Sequence, residues 1–327
     1  MPQTENKTSL QEFCNYMMEK YIHPNKMHSE IIAGEFRKYF NLPKFIILED
    51  LLKLSIVLGI KDVFEITFPN RKLRGFHHKY DCKEYELYYR KGDWEGSKEH
   101  TFLHEVREMI DELFAHICPT YEKLEHNQLE SLSNEFAASV LMPSKEFIND
   151  MYETGFDLME LRKKYLRSYS STLIRMNRVL QGYQCFVGVL YEDVNPIEYL
   201  DKDFLKQLEG IPQPLETTYV VKTPRIWSGK HRGRILWHNL PRKGKFFEIG
   251  SIADSVVSFG QSVYREKASG FDLYGYDDFS IIARPVHWSK GLAKIAVIAV
   301  PYDNRHLLKN QIDRINPVYL PPSFQIF

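Results

Sequence analysis

The sequence has few cysteines, no excess of either charge and no long apolar run. Its 327 residues include four cysteines, none in a Cys-x-x-Cys pair, which argues against a disulfide framework and a thiolate-ligated zinc site. Basic and acidic residues both number 43, so the charge indicates neither a nucleic-acid-binding nor a membrane-binding protein. No segment reaches the about 18 apolar residues of a membrane span, and the polar start is unlike a signal peptide. We therefore expect a cytoplasmic protein with reduced cysteines.

The N-terminal half predicts helices followed by a small sheet. Residues 8–60 read as helices, the last of which ends at Gly59, because apolar residues recur at helical spacing and glycine favours a helix end. Three short strands are predicted from β-favouring residues, at 63–68, 73–77 and 85–89. A polar loop at 92–99 is expected to lead into the next helix.

That next helix carries the first candidate site. Its apolar residues fall at offsets of three, four and seven, which predicts one buried face: Phe102, Leu103, Val106, Met109, Ile110, Leu113 and Phe114. On the other side His104 and Glu108 are one turn apart, so an imidazole nitrogen and a carboxylate oxygen can meet one cation. Glu105 is turned roughly 100° away, where it can act on a water at that cation without being a ligand. The pattern is that of the metallopeptidase helix His-Glu-x-x-His, with Glu108 in place of the second histidine.

A second helix is predicted at 129–141, and it brings a carboxylate close to a side-chain amide. Glu130 and Asn134 are one turn apart on the same face. The small Ala137-Ala138 pair on that helix would let it lie close against a neighbouring helix.

These motifs resemble those of the ImmA/IrrE metallopeptidase family, over roughly residues 45–182. The first signal is Phe102-Leu103-His104-Glu105, after which family members usually have a histidine at the position of Glu108. The second signal is the segment 130–143, with the sequence ESLSNEFAASVLMP. It is similar to the family's Glu-x-x-Ala-Asn-x-Phe-Ala-Ala-x-Leu-Leu-Met-Pro, and this match is long and specific.

The resemblance implies a thermolysin-like zinc peptidase and assigns the residues. His104 would be the first metal ligand, Glu105 the general base, Glu108 the replacement second ligand and Glu130 the third. Asn134 would orient the Glu130 carboxylate. Glu135 is an alternative third ligand, but five residues of helix turn it away from that face. One divalent ion is expected, zinc first, while the oxygen-rich ligand set would also admit manganese or iron.

Other readings of these residues stay open. Glu108 could be a solvated glutamate, or could pair with Arg107 or Lys123 in a site that has lost its metal. Five histidines of the same half could substitute as ligands: His77, His78, His100, His116 and His126. No spacing connects any of them to Glu130, so we expect each to be an ordinary surface or core residue.

The overall fold class predicted is α+β, in three parts. Residues 1–143 form a metallopeptidase-like domain, with a zincin-like mixture of helices and a small sheet. Residues 144–182 form a helical hairpin that resembles a helix-turn-helix. Residues 183–327 form a β-rich domain, GAF-like by analogy with longer IrrE members, for sensing a signal or binding a partner. Its strands are predicted at 185–191, 219–221, 235–238, 246–249, 279–283 and 293–300.

The expected function is that of a metal-dependent endopeptidase. As the resemblance implies, it would cleave a helix-turn-helix transcriptional repressor in a stress or mobile-element response. The alternative is a catalytically inactive regulatory or ligand-binding protein that keeps the metallopeptidase fold. Direct DNA binding through 155–182, or through a basic cluster at 225–245, is not favoured, because most helical hairpins pack and the chain is neutral.

Overall fold

The protein combines helices with two separate sheets, which confirms the α+β fold class. The computed structural model describes residues 10–21, 28–70, 73–81, 84–180, 186–196, 219–228, 247, 250–273, 276–288 and 291–322. The chain divides into two compact units, Met1–Phe147 and Ile148–Phe327. Within the described ranges, no helix has the length and apolar character needed to cross a membrane.

The first unit begins with three helices and a three-stranded sheet. The helices are α1 (Leu10–Lys20), α2 (Ser29–Tyr39) and α3 (Leu48–Leu58). As predicted, α3 ends at Gly59, whose φ of 81° lies in the left-handed region that glycine adopts without strain. The strands are β1 (Ile60–Ile66), β2 (Gly75–Asp81) and β3 (Glu84–Arg90). Their order is β1-β3-β2, with β3 parallel to β1 and antiparallel to β2, so β2 lies at an edge.

Two long helices complete this unit and carry the candidate site. They are α4 (Glu95–Ile117) and α5 (His126–Leu141), which pack against each other, and α4 also packs against β2 and β3. The predicted loop at 92–99 is wrong in its second half, because α4 already begins at Glu95. Ser97 in the first turn accepts a hydrogen bond from Arg74 at 2.6 Å and donates one to Asp93 at 3.1 Å. These two hydrogen bonds stabilise the polar first turn of α4, where the sequence has no apolar periodicity from which a helix could be predicted.

The second unit contains a helical pair and a larger sheet. Helix α6 (Ser144–Thr154) spans the division between the units, and α7 (Leu158–Tyr165) and α8 (Tyr169–Leu180) follow it. The six strands are β4 (Val187–Pro196), β5 (Tyr219–Ser228), β6 (Val263–Leu273), β7 (Tyr276–Trp288), β8 (Gly291–Pro301) and β9 (Val318–Leu320). Their order is β5-β4-β8-β7-β6-β9, antiparallel except for the parallel pair β6 and β9. The remaining helices are α9 (Ile252–Phe259), a 3-10 helix (Tyr302–Leu308) and α10 (Lys309–Ile315).

Several predicted strands of this unit are confirmed. Strands are present where they were expected at 187–191, 219–221, 279–283 and 293–300. The predictions at 235–238 and, apart from Phe247, at 246–249 lie outside the described residues. The part of the basic cluster beyond residue 228 also lies outside them.

One buried carboxylate connects three elements of the second unit. Asp157 is fully buried and caps α7, where its Oδ1 accepts hydrogen bonds from the backbone N–H groups of Met159 and Glu160. The same carboxylate accepts from Arg284 Nη1 on β7 and from Arg314 Nη2 on α10, both at 2.5 Å. Asp157 therefore joins the helical pair to the sheet and to the C-terminal helix.

We expect Asp157→Ala to destabilise the second unit by about 3 kcal/mol. This is the lower end of the range for breaking a buried ion pair, because both arginines keep some access to water. The measurement is the free energy of unfolding in urea, monitored by circular dichroism. Asp313→Ala, on the exposed side of α10, is the matched control and should shift stability by no more than about 0.5 kcal/mol. If the two substitutions change the free energy of unfolding equally, the contacts of Asp157 with its two arginines contribute little to stability.

Candidate metal centre

Helix α4 presents four of its ionisable residues on a side away from its apolar face. Its apolar residues are almost completely buried, at 0–2% exposure: Phe102, Leu103, Val106, Met109, Ile110, Leu113 and Phe114. Their burial fixes the rotation of the helix about its axis. Because a turn takes 3.6 residues, His104, Glu105, Glu108 and Glu112 then lie along one side, towards α5 and β2.

The three predicted ligands lie together. His104 Nε2 is 3.3 Å from Glu108 Oε1 and 3.6 Å from Glu130 Oε2 of α5. One donor atom from each residue lies within 4.8 Å of the other two. Two donors bound at about 2.1 Å to a tetrahedral ion are about 3.4 Å apart, so this spacing suits a divalent ion. The donor set is one nitrogen and two oxygens.

The carboxylates of this group favour a positive charge on the His104 imidazole. Burial disfavours the charged form of His104, but its contact with Glu108 and the nearby Glu105 and Glu130 carboxylates outweigh burial and raise its pKa. Burial also opposes ionisation of Glu108, yet its contacts with His104 lower its pKa. A proton on the imidazole would compete with a metal ion for the ring nitrogen, which couples metal binding to pH.

A further histidine, His77 of β2, also lies at the site. Its Nδ1 is 2.9 Å from Glu105 Oε2 and 3.9 Å from Glu108 Oε2, and its Nε2 is 3.3 Å from Glu112 Oε1. No spacing in the sequence connects His77 to this group, and the structure brings its ring into contact with Glu105 and Glu112. Burial disfavours its charged form, but the hydrogen bonds to Glu105 and Glu112 raise its pKa to about 9. The alternation of side chains along a strand predicts that His77 and His78 lie on opposite faces of the sheet. It does not predict which face packs against α4.

The predicted general base is buried beside this histidine. The Glu105 side chain is 7% exposed, and its Oε2 is the atom hydrogen-bonded to His77. The helix can approach β2 this closely because Gly75 has no side chain. A Cβ at Gly75 would lie 2.3 Å from Thr101 Cγ2 and 2.7 Å from the backbone oxygen of Tyr88.

Asn134 and Glu108 make contacts other than those that the sequence suggested. Asn134 was expected to orient the Glu130 carboxylate, but its Nδ2 donates to the backbone oxygen of Glu130 at 2.7 Å, so this contact holds the main chain. Glu108 faces His104 and His77, whereas Arg107 Nη1 lies 3.8 Å from Asp111 Oδ1 on the buried side of α4.

The remaining candidates are not members of the groups with metal-binding spacing. Among the described residues, the two groups with metal-binding spacing are His104, Glu108 and Glu130, and His77, Glu105 and Glu108. Glu135 and the other histidines of this half belong to neither. The ring of His78 instead stands edge-on to Tyr80, and that of His100 is 6.5 Å from the His104 ring.

Comparisons with known proteins give a likeness of fold. No protein-family model matches the chain, and no curated protein sequence matches it. Among solved structures, it is similar to a Mycobacterium tuberculosis transcriptional regulator, with 12% sequence identity and a TM-score of 0.51. The alignment covers 95% of this chain and 88% of that chain. At this identity the likeness concerns the fold alone, and the ImmA/IrrE resemblance stays a prediction.

We expect Gly75→Ala to destabilise the first unit by about 1–3 kcal/mol, the usual cost of overpacking. The added methyl group would push β2 away from α4 and so move His77 away from Glu105. The measurement is the thermal unfolding midpoint. Gly34→Ala, in the exposed part of α2 with no atom within 4 Å of the added Cβ, is the control and should stabilise by about 0.5–1 kcal/mol. A Gly75→Ala protein at least as stable as the parent would contradict the close packing.

Proposed function

We propose that this chain is a metal-dependent endopeptidase of the ImmA/IrrE type, with a zincin-like N-terminal domain. The observation that carries the proposal is the convergence of His104, Glu108 and Glu130 at ligand spacing, with Glu105 next to them in sequence. Cytoplasmic residence is part of the proposal. It is supported by the scattered cysteines, of which Cys14 and Cys118 are free thiols.

His104, Glu108 and Glu130 would hold one divalent ion. Zinc is proposed first, with manganese or iron as alternatives because two of the three ligands are carboxylates. Such an ion polarises a peptide carbonyl and lowers the pKa of a bound water. Glu105 is assigned as the proton acceptor. Its Oε2 is hydrogen-bonded to His77, so Oε1 is the atom that would take the proton from the attacking water.

The edge strand supports an action on peptides. Among the described strands of the first sheet, β2 pairs only with β3, so its outer edge has no strand partner there. An extended peptide can add to such an edge through main-chain hydrogen bonds. Because His77 of β2 lies 2.9 Å from Glu105, a segment bound there would run beside the candidate ligands.

The substrate proposed is a helix-turn-helix transcriptional repressor, cleaved in a stress or mobile-element response. This part rests on the family resemblance. The likeness to a protein named a transcriptional regulator agrees with a role in transcription control. The second unit, with its six-stranded sheet, is proposed as the GAF-like part that senses a signal or binds the partner.

A second candidate function is that of an inactive regulator. It is favoured by one observation: the imidazoles of His77 and His104 already face the Glu105, Glu108 and Glu112 carboxylates as ion pairs. Protonated histidines could neutralise the acidic cluster without any metal. Such a protein would bind a repressor or a small ligand and would not cleave it.

Metal content and cleavage together test the proposal. We expect the purified chain to retain zinc after dialysis, and His104→Ala and Glu130→Ala to lose the ion at this site. Glu135→Ala, on the same helix but outside the group, is the control and should retain it. Glu105→Gln should keep that ion but cut a candidate repressor about 10²- to 10⁴-fold more slowly. A parent protein that binds no divalent ion would favour the inactive regulator.

A further inference from the structure

The Glu108 carboxylate faces two histidines with its two oxygen atoms. Oε1 is 3.3 Å from His104 Nε2, and Oε2 is 3.9 Å from His77 Nδ1. Glu108 therefore belongs to both groups that have metal-binding spacing. Each group contains one imidazole, one carboxylate of its own and the shared Glu108 carboxylate.

The second group has the spacing of a coordination shell. His77 Nδ1 is 2.9 Å from Glu105 Oε2 and 3.9 Å from Glu108 Oε2, and the donor atoms all lie within 4.8 Å of one another. Neighbouring donors at about 2.1 Å from an octahedral ion are about 3.0 Å apart, and donors at wider angles are further apart. The two measured distances lie within that geometry.

The orientation of the His77 ring is an independent indication of a ligand. Its Nε2 is 3.3 Å from Glu112 Oε1, which lies outside the second group. A metal-binding histidine usually has its other ring nitrogen held by a carboxylate in this way, which fixes the ring and its tautomer. The His77 side chain is 9% exposed, so this arrangement is built into the packing of β2 on α4.

We propose that the chain holds a pair of divalent ions bridged by Glu108. The second ion would be bound by His77 Nδ1, Glu105 Oε2 and Glu108 Oε2, beside the ion at His104, Glu108 and Glu130. This inference rests on the proposed function, because it takes the first ion as given. The oxygen-rich donor sets suit manganese, iron or zinc, and paired sites in proteins place their ions about 3.5–4 Å apart.

The second ion changes what Glu105 can do. With the first ion alone, the Glu105 carboxylate has only His77 as a partner in the described contacts and can accept a proton at Oε1. With the second ion bound, Glu105 is a ligand and a weaker base. Filling the second site thus converts a proposed catalytic base into a structural ligand.

The test is a titration of the whole purified chain with Mn²⁺ alone, by equilibrium dialysis and electron paramagnetic resonance. We expect two ions per chain with a spin-coupled signal, since a carboxylate bridge couples neighbouring Mn²⁺ ions. His77→Ala and Glu105→Gln should each bind one ion and show the hyperfine-split signal of an isolated Mn²⁺. His78→Ala is the control, because His78 is the next residue on β2 and points to the exposed face. Glu105→Gln keeps the side-chain shape, and circular dichroism checks its fold.

The outcomes separate the two proposals. One ion per chain that is lost in His104→Ala would overturn the second site and leave the proposed function standing. No bound Mn²⁺ at all would overturn the paired site, and the absence of retained zinc as well would overturn the proposed function. Two uncoupled ions, or a second ion that survives in both His77→Ala and Glu105→Gln, would overturn the bridge at Glu108.

Discussion

The site depends on how the apolar face of α4 is buried. Side chains such as Phe102, Val106 and Leu113 are 0–2% exposed, and each contributes about 1.5–3 kcal/mol when it is fully buried. A rotation of the helix would expose several of them at once. The helix therefore has one stable orientation, and this orientation sets where His104, Glu105 and Glu108 lie. Burial of the core thus enforces a crowded group of ionisable residues that would not assemble by attraction between themselves.

That crowding has an electrostatic cost that the two histidines offset. Glu105, Glu108, Glu112 and Glu130 bring four carboxylates to one side of α4 and its neighbour α5. Partly buried carboxylates are stable only when cations or hydrogen-bond donors compensate them. The elevated pKa values of His77 and His104 are the response of the protein to this excess of negative charge. Protonation of the imidazoles and binding of metal ions would both compensate this negative charge.

The sequence predicted the features that depend on local order. The periodicity of α4, the end of α3 at Gly59 and the turn spacing of His104 and Glu108 are all short-range patterns, and the structure has them. The approach of Glu130 to His104 came from the family motif and not from spacing, because two helices must pack to produce it. The contact of His77 with Glu105 could not be predicted, because the strand order β1-β3-β2 and the contact of β2 with α4 arise from tertiary packing. Asp157 shows the same limit, since its arginine partners lie 127 and 157 residues further along the chain.

The exposure of the site is uneven, and this has a consequence for how long an ion would stay. The Glu130 side chain is 46% exposed, whereas those of His77 and Glu105 are 9% and 7% exposed. A carboxylate in contact with water can detach from an ion and be replaced by solvent more readily than a buried one. An ion at His104 would therefore exchange through the α5 side, while one beside His77 would be kinetically trapped. The two positions would then respond to chelators on different timescales, so the metal supply of the cell would govern the outer position first.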